Sequence, residues 1–157
     1  MKNYTSEVPV ERTLIRIEAV LVKGGASGIN KTYRDGELFS IGFTIPGAAK
    51  GSSMSVRMPA RVDAVEKALT KGKYLAATAQ GRMKKQAART AWKLMQDWIE
   101  VQLSLVELQQ ADMIQVFLPY LHDGQQTLYE QIKSGGYKAL ENMKLLDAHA
   151  GAEDPRP

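Results

Sequence analysis

The sequence predicts an α+β fold: a three-stranded antiparallel meander in the order α-β-β-β-α, packed against a long central helix and followed by short C-terminal helices. Three observations predict it. Apolar residues recur at helical spacing on either side of a stretch in which they alternate with polar ones. Turn dipeptides divide that stretch into strand-length runs. After it, a long helical pattern is apolar around most of its circumference, which suits a helix enclosed on several sides.

The first helix is expected over residues 9–23. Pro9 suits a first helical position, where a missing N–H costs nothing. Val10, Leu14, Ile17 and Leu21 then share one face, and Gly24-Gly25 ends the run. Ile29 to Tyr33 reads as a short strand, and Asp35-Gly36 as a hairpin turn, because both residues tolerate positive φ. Phe39, Ile41, Phe43 and Ile45 alternate with small polar residues in a half-buried second strand, closed by Pro46-Gly47. Met54, Val56 and Met58 form the third. Pro59 is expected to open a second helix that buries Val62, Val65 and Leu69.

Residues 71–83 read as a basic linker of small residues, either a mobile loop or a frayed helix start. The central helix is expected from Lys84 to about Phe117, its narrow polar stripe being Lys93, Asp97, Glu100, Ser104 and Glu107. Pro119 ends it. Thr127 and Glu130 have the spacing of a capping box, so a short helix follows to Lys133, stopped by Gly135-Gly136. Another is expected over Tyr137–Leu146. With 157 residues, 44% of them apolar, the chain suits a single domain over 1–147 with an αβββα half (9–70) and a helical half (84–146). Residues 148–157, poor in large apolar side chains, are expected to be a disordered tail.

The absence of cysteine excludes disulfides, thiolate metal sites and thiol nucleophiles. Met1 to Pro9 holds no apolar signal core and no window suits a membrane span, so the expectation is a cytoplasmic protein without a membrane partner. Neither glycine cluster, Gly24–Gly28 or Gly47–Ser53, has the spacing of a phosphate-binding loop. His122 and His149 do not make a metal-binding pair. Asp97 and Glu100 fit a solvated helix face better than an acid–base pair, and no serine sits in a nucleophile elbow. The expectation is a protein that is not an enzyme, with no cofactor and no metal.

Charge is the informative feature. Residues 1–66 carry nine Lys/Arg and seven Asp/Glu, residues 67–96 eight Lys/Arg and no acid, and residues 97–157 four Lys/Arg and ten Asp/Glu. An acid-free block of this kind attracts a phosphate backbone by counterion release. The expected nucleic-acid-binding residues are Lys71, Lys73, Arg82, Lys84, Lys85, Arg89 and Lys93 for phosphates, with Tyr74 to stack on a base. DNA ranks ahead of RNA as the partner. The competing reading is a solvated face that balances the acidic C-terminal part, within one molecule or between copies. Trp92 and Trp98 are the expected contacts for a homo-oligomer or a protein partner.

The α-β-β-β-α order is shared with double-stranded-RNA-binding domains. Those carry a basic cluster at the start of their second helix, where this chain has Pro59-Ala60-Arg61-Val62-Asp63-Ala64, so that assignment is not adopted. A different likeness covers about residues 6–140. Val8-Pro9-Val10-Glu11-Arg12-Thr13, Arg57-Met58-Pro59-Ala60-Arg61-Val62, Ala91-Trp92, Asp97-Trp98-Ile99-Glu100, Val116-Phe117-Leu118-Pro119-Tyr120 and Thr127-Leu128-Tyr129-Glu130 together resemble small phage- and prophage-encoded proteins of unknown function. The resemblance implies a mobile-element origin and a cytoplasmic role during infection, with no activity or site residues attached. The function expected is a non-catalytic nucleic-acid-binding accessory protein of a phage or prophage. The alternative is a protein-binding module that inhibits a host or defence enzyme.

Overall fold

The computed structural model describes residues 1–143. The fold is α+β: helix α1 (Val10–Lys23), strands β1 (Ser27–Arg34), β2 (Glu37–Pro46) and β3 (Ser53–Pro59), then helices α2 (Val62–Thr70), α3 (Ala77–Glu107), α4 (Met113–Phe117), α5 (Leu128–Ser134) and α6 (Lys138–Asn142). A 3-10 turn over Leu118–Tyr120 follows α4. The expected end of the last helix and the expected tail lie outside the described residues.

The strands form one antiparallel meander in the order β1-β2-β3. Arg34 pairs with Glu37 across a two-residue turn in which Asp35 (φ 51°) and Gly36 (φ 77°) are both left-handed, as the twist-matched hairpin requires. Phe43 lies opposite Val56 and Ile41 opposite Met58, so alternation puts all four, with Ile45, on one face of the sheet. That face shares a single core with Leu14, Ile17 and Leu21 of α1 and Trp92, Ile99 and Leu103 of α3. An aromatic ladder ties the layers together. Phe43 of β2 meets Phe117 edge to face at 5.1 Å between ring centroids, Phe117 meets Trp98 at 5.9 Å, and Trp98 meets Tyr120 at 5.6 Å. Such pairs contribute roughly 0.5–1.5 kcal/mol each beyond their burial.

The C-terminal segment covers the edge of β3. Leu121 bridges to Val56, the His122 amide donates to the Ser55 carbonyl (3.0 Å), and Arg57 donates to the Gln125 carbonyl (2.7 Å). Bonding of this kind satisfies backbone groups that an open edge leaves to another chain. The expected capping box is present: Thr127 accepts from the Glu130 amide (3.2 Å), and Glu130 accepts from the Thr127 amide (2.7 Å).

Three boundaries differ from expectation. Pro59 ends β3 rather than opening α2; it lies opposite Ser40, and the Ala60 amide still bonds Phe39 of β2 (3.0 Å). A strand terminus tolerates proline as well as a first helical turn does. Helix α3 starts at Ala77, not Lys84, because Ala, Gln, Met and Arg are strong helix formers and outweigh Gly81. It ends at Glu107, not Phe117. Gln109 is left-handed (φ 56°), its amide and that of Gln110 close back on Val106 and Leu105, and Asp112 caps a separate α4 by accepting from the Gln115 amide (2.8 Å). Nor is α3 enclosed on all sides: Val101 and Leu108 are 58% and 66% exposed.

Core position should therefore decide the effect of truncation. Phe117→Ala, at the centre of the ladder, is expected to lose about 3–5 kcal/mol of unfolding free energy. Leu108→Ala should stay within about 0.5 kcal/mol of the parent. Urea unfolding monitored by tryptophan fluorescence checks both, and equal losses would contradict this core.

Candidate nucleic-acid interface

Helices α2 and α3 pack along each other as a hairpin. The turn between them is set by two consecutive left-handed residues, Lys71 (φ 53°) and Gly72 (φ 71°). The Gly72 amide reaches the Lys67 carbonyl (3.0 Å) and the Lys71 amide the Ala68 carbonyl (3.3 Å), a closure that satisfies the last carbonyls of α2. A lysine rather than a glycine takes the first left-handed position, a placement that carries a steric cost. Lys71, Lys73 and Tyr74 are exposed at this tip, and Tyr74 is fully so.

The start of α3 continues the basic surface. No side chain caps the helix and no acid lies in its first turn; the nearest carboxylate contact there is from Glu66 of α2, which accepts from Gln80. Arg82 and Lys85 are exposed. From Ala77 to Lys85 the axis advances about 12 Å. Leu75, Ala79 and Met83 form the floor of an open groove of about 520 Å³, with Arg82 and Lys85 among the residues that line it.

The fold divides the expected site. Lys71, Lys73, Tyr74, Arg82 and Lys85 are exposed, on the interhelical loop and the first turns of α3. Lys84 is turned the other way, where it pairs with Glu37 of the β1–β2 hairpin at 2.9 Å; the hydrogen bond from its ammonium to Glu37 raises its pKa. Arg89 lines the far end of the groove but donates to the Ser6 carbonyl (3.1 Å) and to Gln86 (2.6 Å). Lys93 pairs with Asp97 one helical turn on, at 3.4 Å. These last three cations are engaged by the chain itself.

Trp92 and Trp98 are likewise accounted for within the molecule. Trp92 is 1% exposed, enclosed in the core, and offers no surface to another molecule. Trp98 is half-buried against Phe117 and Tyr120. The unoccupied apolar surface of α3 is instead Val101 and Leu108, with the half-buried Leu94 and Leu105 on the same face.

One group of residues was not foreseen. The first six residues lie along α3 as a strap. Thr90 donates to the Asn3 carbonyl (3.0 Å), Gln86 to the carbonyls of Tyr4 (2.9 Å) and Ser6 (3.1 Å), and Asn3 and Lys2 both contact Asp97. Asp97 thus joins a partly buried cluster with two lysines, where the sequence suggested a plain solvated stripe. Burial pushes its pKa up, but Lys2, Asn3 and Lys93 outweigh this and hold it below the ordinary carboxylate value. Helical spacing does not show such a strap, because its partners are backbone carbonyls 80 or more residues away in sequence.

Among the described residues, no cluster of His, Asp and Glu is placed to hold a metal ion, and no helix is long and apolar enough to cross a membrane. Compared with known protein families, curated proteins and solved structures, the chain finds no match.

The strap's stability should follow the titration of Asp97. A carboxylate whose folded pKa is depressed contributes fully above its unfolded value of about 3.9, and the contribution is lost as pH falls through the folded pKa. Asp97→Asn should therefore be less stable than the parent at neutral pH, with the gap narrowing only in acid, below about pH 4. Urea unfolding of both proteins between neutral and acid pH checks this; a gap that does not change with pH would contradict it.

Proposed function

We propose that this chain is a non-catalytic nucleic-acid-binding accessory protein of a phage or prophage, and that the exposed end of the α2–α3 hairpin is its binding surface. The observation that carries the reading is that Lys71, Lys73, Arg82 and Lys85, on the interhelical loop and the first turns of α3, are all exposed and without a salt-bridge partner among the described residues, and that the same loop holds a fully exposed tyrosine. Cations that the fold leaves unpaired are the ones that can exchange their counterions for phosphates. Lys84, Arg89 and Lys93 have partners of their own and contribute less. The resemblance of segments across residues 6–140 to small phage proteins supports the mobile-element setting, and a DNA partner is preferred.

A second reading, a module that binds a host or defence protein, draws on a different surface. Val101 and Leu108 are exposed on the outer face of α3, where an apolar patch would gain from being covered. Under that reading, Val101→Asp with Leu108→Asp abolishes capture of a defined partner from nuclease-treated host lysate, and the parent retains it.

The two readings separate on salt. The parent should bind labelled DNA with an affinity that falls steeply from low to physiological salt. Neutralising Lys73, Arg82 and Lys85 together to Gln should make the log–log slope shallower by about one unit for each phosphate left unneutralised. A control triple at exposed cations elsewhere, Arg16, Lys50 and Lys133 to Gln, should leave it unchanged. Equal effects of the two triples would place the binding surface elsewhere.

A further inference from the structure

We infer that the hairpin surface is built for single-stranded nucleic acid with its bases exposed, rather than for a duplex. This deepens the proposed function and rests on it. Leu75, just before α3, and Ala79 and Met83 on its first turns are all half-buried along the floor of the groove. Arg82 and Lys85 of α3 line the same groove. An apolar floor and a pair of cations thus lie side by side over the first turns of α3, where four residues advance about 6 Å.

Floor and cations suit the two halves of a nucleotide. Cations take the phosphates, and an apolar floor takes the face of a base, which no hydrogen bond needs to reach. A duplex keeps its bases stacked inside and presents phosphates and sugars, so it would gain from the cations and little from the floor. Tyr74 points to the same chemistry. It sits one residue before the apolar floor begins, touches nothing that covers it, and presents a π-face on which any base stacks. Lys71 and Lys73 precede it on the tip, where they can meet the phosphate next to a stacked base. Recognition of this kind is tolerant of sequence, because every base has a π-face.

The test is fluorescence anisotropy of the full chain at one low salt concentration with three labelled probes: a 16-nucleotide oligothymidylate, the same strand with abasic residues, and a mixed-sequence duplex of equal length. The expected result is oligothymidylate bound at least about 10-fold more tightly than either other probe. Tyr74→Ala should remove about 10-fold of that affinity while leaving the abasic strand unaffected, and Tyr74→Phe should restore it. Because Tyr74 is fully exposed, neither substitution threatens the fold. Equal binding of the thymidine and abasic strands, or a duplex bound as tightly as the single strand, would overturn this inference and leave the nucleic-acid reading intact. Failure of all three probes to bind would overturn both.

Discussion

The buried side of α3 organises the molecule. Ala87, Ala91, Trp92, Ile99 and Leu103 are buried along it, and the sheet, α1 and α4 contribute to the same core. Residues Ala77 to Gln86, by contrast, include no fully buried side chain. The helix is therefore anchored by its later turns and presents its first turns, with α2 packed alongside as a brace. A surface held this way has a rigid scaffold and a loosely packed tip. Local stability falls where buried contacts are few, and ligand-binding surfaces are commonly drawn from such regions.

That arrangement also explains why one run of cations serves two purposes. On the anchored part of α3, Lys93 works with Asp97, Lys2 and Asn3, and Arg89 with Gln86 and Ser6, so that positive charge fastens the N-terminal strap. On the free part, Lys71, Lys73, Arg82 and Lys85 face solvent with no acid between residues 67 and 96 in sequence. Like charges gathered on one surface repel each other and raise the local potential. The fold accepts this cost at the tip and relieves it further along the helix. Glu37, brought in by the β1–β2 hairpin, marks the border by pairing with Lys84.

Much of the fold was legible because it depends on local periodicity. Leu14, Ile17 and Leu21 are the buried face of α1, Ile41, Phe43 and Ile45 the buried face of β2, and Asp35-Gly36 and Thr127/Glu130 form the turn and the cap their chemistry suggested. The misplaced boundaries fall where two local rules compete. Pro59 satisfies a strand end and a helix start equally. The break after Glu107 was signalled by Asp112 with Gln115, a cap that helical spacing through this stretch does not reveal. The candidate site was legible as a charge block but not residue by residue. Whether Lys84 or Lys85 is paired depends on where Glu37 lies in three dimensions, and the core position of Trp92 depends on how α1 and the sheet close over α3. Neither follows from spacing along one helix.

The central claim is that the binding surface is the exposed end of the α2–α3 hairpin and that the rest of the chain positions it. Backbone amide shifts of the full chain, followed by heteronuclear NMR as a single-stranded oligonucleotide is added, test this most directly. The account predicts perturbations concentrated between Lys71 and Arg89, with the sheet and α1 unmoved. Perturbations centred on β1, α1 or the Val101–Leu108 face, with the hairpin silent, would contradict it.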